Sequence, residues 1–217
     1  VIENTQRDVN IALINEFYSV LSALDIDTHK VIDAAATKWN FHKYTPGLVG
    51  GHCISVDPHY FAYKAGSIGI KTKILLAARE TNEQLVSVIV EKLLVELVSN
   101  YKENLSNSVL IVGAAFKENC PDFRNTKSVD VFSKLKNYGL DVDIYDPLVD
   151  PGKFFKTYGI NIVETLEKSY HTVLFLVPHK EFDESFWKRL INVNKLNLIL
   201  DFKAKIKIKF KNIAIIT

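Results

Sequence analysis

Between residues 108 and 200, short aliphatic runs alternate with stretches of helical period, and this alternation limits the possible folds more than any other feature of the chain. Residues 108–112 form a continuous β-branched and aliphatic run that ends at Gly113. A helical stretch over 126–137 closes at Gly139, where glycine can adopt the left-handed conformation that ends many helices. Residues 142–145 read as the next strand, ending in Asp146-Pro147, and 173–177 as a third. Residues 182–191 read as a helix and 198–200 as a fourth strand. Strands joined by helical crossovers pair in parallel, with helices on both faces of the sheet. The second half of the chain is therefore predicted to be a parallel α/β domain. In the tail, 203–211, lysines alternate with Ile206, Ile208 and Phe210, which predicts an edge strand with solvated lysines.

The first half has a helical period. Val9, Leu13, Phe17, Val20 and Leu24 recur at spacings of three and four, while Asn4, Arg7, Asp8 and Asn15 fall elsewhere on the cylinder. This predicts an amphipathic helix over 1–20, on which Asn4, read alone, is a surface asparagine. Asp27 or Thr28 can cap a second helix through Ala36. Residues 39–60 form a long loop rich in glycine and proline. Pro58 suits the first turn of a short helix over 58–65, with Asp57 as its cap. In a long helix over 72–102, Leu85, Ile89, Leu93 and Leu97 form one stripe, and Val86, Val90 and Leu94 a second beside it. A stripe this wide needs cover on more than one side. Two readings follow: a central core helix, or a helix that links two domains and also packs against a partner chain. The polar linker 103–107 then divides the chain into domains at 1–104 and 105–217.

Composition narrows the function. The net charge of +2 comes from lysines spread along the chain, not the clustered basic face of a nucleic-acid binder. No apolar run approaches the roughly 18 residues of a membrane span. Two cysteines far apart in sequence fit a reducing cytoplasm better than a disulfide framework. The chain contains no methionine and opens directly into a helical pattern, so it reads as a piece of a longer protein.

The chemistry points to Gly50-Gly51-His52-Cys53-Ile54-Ser55-Val56-Asp57-Pro58. A thiol attacks a carbonyl carbon only where crowding is low, and the glycine pair provides that room. Asp57, four residues on, is near enough to orient a water or share a proton. The competing readings are a buried, inert thiol, and a metal site built from His52, Cys53, Asp57 and His59. That set lacks the short repeating spacing of structural zinc sites, so no metal is predicted. His42 and His59, read alone, are surface residues. After the first strand of the second half, Gly113-Ala114-Ala115-Phe116-Lys117 lacks the glycines of a dinucleotide fingerprint. Asp146 is placed like a ribose-binding acid but has no such glycines to support it. Lys117 and Arg124 remain near the carboxyl edge of the sheet, either as anion contacts or as solvated cations.

Three stretches carry a resemblance: 3–12 (Glu3 through Ala12), 46–58 (Pro46 through Pro58) and 116–126 (Phe116 through Thr126). In order and spacing they resemble the UDP-glucose/GDP-mannose dehydrogenase family. His52 before the cysteine, and Val56-Asp57-Pro58 after it, look like the N-acetylhexosamine branch, the UDP-N-acetylglucosamine or UDP-N-acetylmannosamine 6-dehydrogenases. The UDP-glucose enzymes typically carry lysine where this chain has Val56.

The resemblance implies an N-terminal NAD-binding Rossmann domain ahead of this chain, then a helical central, dimerising domain and a Rossmann-like UDP-sugar-binding domain within it. It implies a two-fold oxidation of the sugar 6-hydroxyl with NAD as cofactor, for surface polysaccharide synthesis. By position, Cys53 is the nucleophile, Asp57 assists the water, and Asn4 contacts substrate and oxyanion. Lys117 matches a substrate contact and Arg124 a contact to NAD. His52 faces the cofactor, and His42, Lys43, Tyr44, Thr45, Pro46 and Gly50 line the cleft. A homodimer through the helix over 72–102 is implied as well. The family's lysine one helical turn before Asn4 falls immediately ahead of Val1, so this polypeptide alone is expected to be inactive while its parent turns over. The alternative is a non-catalytic nucleotide-sugar binding and dimerisation module. Which N-acetylhexosamine is used is not written in these residues.

Overall fold

The computed structural model describes residues 1–100 and 108–217, so the predicted linker 103–107 lies outside the described residues. The chain divides into two compact units, Val1–Val88 and Ile89–Thr217. Among the described residues there are seven helices and one five-stranded sheet. Among the described residues no helix is long and apolar enough to cross a membrane.

The first unit holds α1 (Ile2–Ala23), α2 (Thr28–Ala35), α3 (Asp57–Gly66) and the first part of α4 (Lys73–Asn100). Asp27 caps α2, its carboxylate accepting from the N–H groups of His29 and Lys30. Helix α1 reverses the expectation from its pattern. Leu13, Phe17, Val20 and Leu24 are exposed, whereas Thr5, Asp8, Ala12, Ile14, Asn15 and Tyr18 are buried. The physical reason is a polar stripe. Asn4, Asp8 and Asn15 are separated by four and eleven residues, which at 3.6 residues per turn places them within about 40° of arc. All three have side-chain partners within the unit (below); Asp8 and Asn15 are buried on theirs and Asn4 is half-buried, and hydrogen-bonded polar groups can be buried.

Helix α4 buries both of its predicted stripes along most of their length: Leu85, Val86, Ile89, Val90, Leu93 and Leu97 are all buried. Val95 and Val98 are exposed.

The second unit contains β1 (Ser108–Val112), α5 (Ser128–Asn137), β2 (Asp141–Tyr145), α6 (Pro151–Tyr158), β3 (Thr172–Phe175), α7 (Glu184–Val193), β4 (Leu198–Asp201) and β5 (Ala214–Ile216). All pairings are parallel, in the order β2-β1-β3-β4-β5. The predicted α/β class is therefore observed, and the chain is a helical domain followed by a Rossmann-like parallel sheet domain. Strands β1, β3 and β4 are buried at every position, as expected where both faces are covered. One side of the core is aromatic: Phe175, Phe186 and Trp187 meet edge to face, with centroids 5.0–5.3 Å apart for the Trp187 pairs.

Two elements escaped the sequence pattern, α6 and β5. The tail is a correction. Residues 203–211 form no strand, and the edge strand is β5 instead. Ala204 takes a left-handed φ of 50°, and the Asp201 carboxylate accepts the Ile206 N–H at 2.6 Å, so the chain turns after β4 rather than pairing with it. Ile206 and Phe210 still pack on the core, which accounts for the alternation.

Candidate active site

In the first unit the cysteine segment is a tight turn leading into α3. The Cys53 carbonyl accepts from the N–H groups of Val56 (3.1 Å) and Asp57 (2.9 Å), and Gly51 takes φ +78°, a conformation glycine enters without penalty. Ser55 Oγ closes the same turn onto the Gly51 carbonyl at 2.7 Å. The Cys53 side chain is exposed, which excludes the buried, inert thiol. Its sulfur lies 3.2 Å from Nδ1 of His52. An imidazole in that position can take a thiol proton.

Asp57 does not cap α3. The helix begins at Asp57 itself, Val56 stands at the N-cap without a side-chain bond, and Pro58 occupies the first turn. The carboxylate turns to α1 instead, where Oδ2 accepts from Asn4 Nδ2 at 2.7 Å. The Asn4 hydrogen bond holds the Asp57 carboxyl below the usual range, so it is a carboxylate at neutral pH. Asn4, expected on the surface when read alone, thus shares a site with Asp57.

The segment ahead of the turn is held from beneath. Asn15 on α1 pairs with Gly47 at two points: its Oδ1 accepts the Gly47 N–H at 2.9 Å and its Nδ2 donates to the Gly47 carbonyl at 3.0 Å. Asn15 Nδ2 also donates to Asn82 Oδ1 on α4 at 2.8 Å, and Asn82 Nδ2 donates to Asp8 Oδ1 at 2.7 Å. Arg79 completes the network, donating to Asp8 Oδ1 at 2.6 Å and to Glu83. Asp8, Asn15, Arg79 and Asn82 are all 4% exposed or less. Burial raises the Asp8 carboxyl above its ordinary value, and the Arg79 guanidinium opposes that shift. The sequence reading missed this network. Its signal was the stripe of Asn4, Asp8 and Asn15 on α1.

The other predicted lining residues vary. Pro46 is buried, Gly50 and Tyr44 are half-buried, and Tyr44 accepts from Asn10 Nδ2 at 3.2 Å. His42, Lys43 and Thr45 are exposed, and Lys43 pairs with Asp33 at 2.5 Å. Among the described residues no group of three or more His, Cys, Asp or Glu side chains could hold a metal ion.

In the second unit Lys117 and Arg124 occupy the β1–α5 connection. Lys117 is exposed and lies 5.5 Å from the Phe116 ring centroid. Arg124 is exposed and forks onto Asp122, with contacts of 2.5–3.1 Å. Asp146 is buried and does not face outward as a ribose-binding acid would. Its Oδ2 accepts from the N–H groups of Ala114 (2.7 Å) and Ala115 (3.0 Å), the donors a dinucleotide pyrophosphate would use at this turn. Burial opposes ionisation of Asp146, but the His179 hydrogen bond and the backbone N–H groups outweigh it and hold the carboxyl below the usual range. With an internal carboxylate already there, the first βα turn does not fit a dinucleotide. Lys203, which the pattern assigned to a solvated tail, follows β4 at the same edge. Burial pushes its ammonium down to about 8, against the opposing charge of Glu118.

Residues 1–84 match the model of the UDP-glucose/GDP-mannose dehydrogenase family central domain, and residues 110–208 match that family's UDP binding domain. Protein CapL of Staphylococcus aureus is 43% identical over 205 residues, 94% of this chain and 48% of the relative. The UDP-N-acetyl-D-glucosamine 6-dehydrogenase of Pseudomonas aeruginosa is 43% identical over 201 residues, 92% of this chain and 48% of the relative. Among solved structures, the UDP-N-acetyl-mannosamine dehydrogenase Cap5O from S. aureus superposes with a TM-score of 0.81 at 27% identity, covering 100% of this chain and 49% of that one. The chain spans about half the length of the curated relatives it matches.

Proposed function

We propose that this chain, which belongs to the UDP-glucose/GDP-mannose dehydrogenase family, is the central and UDP-binding part of an NAD-dependent UDP-N-acetylhexosamine 6-dehydrogenase. The observation that carries the reading is the exposed Cys53 in a glycine-opened turn, one helical turn from an Asp57 carboxylate held by Asn4. Relatives named UDP-N-acetyl-D-glucosamine 6-dehydrogenase support the substrate class.

In this reading His52 takes the thiol proton and the Cys53 sulfur bonds to C6 of the sugar aldehyde, giving a thiohemiacetal whose oxygen Asn4 stabilises by donating a hydrogen bond. A nicotinamide dinucleotide, when bound, would accept the two hydrides, one from the C6 alcohol that becomes the aldehyde and one from the thiohemiacetal carbon, whose loss leaves a thioester on Cys53. Asp57, ionised at neutral pH, orients a water toward that carbon. The C–S bond breaks, the uronate leaves and the thiol is restored. By position Lys117 would contact the nucleotide sugar, and residues 42–46 with Gly50 would line its pocket. By position Arg124 and His52 would contact the cofactor, whose own binding domain belongs to the rest of the parent protein. We also assign the parent to the cytoplasm and to a homodimer built through α4, which sedimentation would check.

The test compares parent proteins with Cys53 and with Cys53→Ser. Loss of NADH formation from UDP-N-acetylhexosamine, with UDP binding intact, supports the enzyme. Unchanged activity favours a binding module.

A further inference from the structure

The strand order β2-β1-β3 reverses direction between β1 and β3, and ligands of open parallel sheets bind in the crevice at the carboxyl ends of such a pair. The two sides of that crevice are the β1–α5 connection, which carries Lys117, and the residues after β3. They approach closely: a Cβ on Gly113 would lie 2.5 Å from Val177 Cβ. Hydrogen bonds cross from the tip of the first side to the second at Asn119. Its N–H donates to His179 Nδ1 at 2.8 Å, and its Oδ1 accepts the Lys180 N–H at 2.8 Å.

His179 is 3% exposed, and its other ring nitrogen, Nε2, lies 3.0 Å from Asp146 Oδ2. The tautomer follows from these partners. A backbone N–H can only donate, so Nδ1 carries no proton, and Nε2 carries the proton it donates to the carboxylate. Asp146 is itself fixed by the N–H groups of Ala114, Ala115 and Leu148. A rigid relay therefore runs from the ends of β1 and β2, through the imidazole, to Asn119.

The base of the connection has other supports. Phe116 N–H donates to the Asp122 carbonyl at 3.0 Å, and Phe123 packs on Phe154 and Tyr158. Asn119 adopts φ 57°, a left-handed conformation that asparagine accepts more readily than most residues, so its place depends on being held.

We propose that His179 is a positioning residue for the nucleotide site, holding the Asn119 tip so that Lys117, two residues earlier, faces a diphosphate in the crevice. This rests on the reading that the second unit binds UDP.

The experiment uses the 217-residue chain and UDP as the probe. Calorimetry is expected to give UDP binding that weakens about tenfold in His179→Ala, the effect of losing one well-placed contact. Binding recovers most of the way in His179→Gln, whose amide can accept from Asn119 and donate to Asp146. Hydrogen exchange is expected to speed up at Asn119 and Lys180 while the amides of β1 and β3 keep their protection. Asn119→Gly, which keeps the backbone conformation but removes the side-chain tie, speeds exchange at Lys180 alone. Imidazole ¹⁵N shifts of the unmutated chain should report a bare Nδ1 and a protonated Nε2. Tight UDP binding by His179→Ala overturns the proposal, as does loss of protection across the strands as well, which marks a merely structural residue. If the unmutated chain does not bind UDP, the nucleotide reading fails instead. The tie is then judged by exchange, and unchanged rates at Asn119 in His179→Ala overturn it.

Discussion

Replacing Arg79 with methionine isolates the buried network that holds the cysteine loop. The Asp8 carboxylate is wholly inaccessible, its Oδ1 accepts from Arg79 and Asn82, and among the described residues its Oδ2 meets no hydrogen-bond partner. Methionine preserves much of the volume and removes the guanidinium, leaving a buried carboxylate held by an amide. Breaking a buried ion pair on one side costs about 3–5 kcal/mol. At about 1.36 kcal/mol per decade, that is a hundred- to several-thousand-fold fall in the folding equilibrium of the first unit.

The sign of the pH dependence is fixed as well. Asp8 already has a raised carboxyl value in the folded chain, and losing Arg79 raises it further. The folded state then binds more protons than the unfolded one, so stability falls as pH rises from the unfolded value through the folded one. The Arg79→Met penalty should therefore be smaller at pH 4 than at pH 7. Adding Asp8→Asn removes the uncompensated charge and should restore more than half of the loss. Residue-resolved hydrogen exchange of α1 and the first half of α4, with and without urea, reads the effect in this unit alone. A penalty below about 1 kcal/mol at pH 7, or one independent of pH, would refute the argument.

Gly113→Ala should destabilise the second unit by about 2–4 kcal/mol in calorimetry, because its Cβ meets Val177 at 2.5 Å and alanine resists φ +102°; a neutral result contradicts the close approach. Asn4→Ala removes the largest support for ionised Asp57, so its carboxyl titration, followed by ¹³C NMR, should move upward, and stability linked to Asp57 should be lost at a higher pH as pH falls. Lys203 titrates near 8 in the folded chain against 10.5 when free, so the unfolded state binds more protons between those values. Stability of the second unit should rise over that window, and Lys203→Met should abolish the rise in pH-dependent unfolding.

The parallel sheet was legible because buried strands and amphipathic crossovers differ in period. The runs that became β1, β3 and β4 are apolar at nearly every position, which only a sheet covered on both faces requires. The end of the chain misled because alternation records which side chains are buried, not whether a ladder forms. Residues 203–211 half-bury Ile206 and Phe210 against the core without pairing. The inversion of α1 has the same root. Hydrophobic period assumes that polar side chains face water, and Asp8 and Asn15 instead satisfy one another's neighbours in the interior. Asp57 was readable as an acid beside Cys53, but its partner could not be found locally, because Asn4 lies 53 residues away. His179 gave no signal at all: its role rests on three strand ends that meet only in the folded sheet.

Covalent capture on the sulfur is the most direct measurement of the central idea. The full-length parent carrying Asp57→Asn is incubated with UDP-N-acetylhexosamine and NAD, acid-quenched, and the peptide containing Cys53 is weighed. Slowed release predicts a mass increase equal to the oxidised nucleotide sugar in thioester linkage, confined to that peptide and absent from the Cys53→Ser, Asp57→Asn double variant. An unmodified cysteine in a parent that still converts the sugar to its uronate would contradict it.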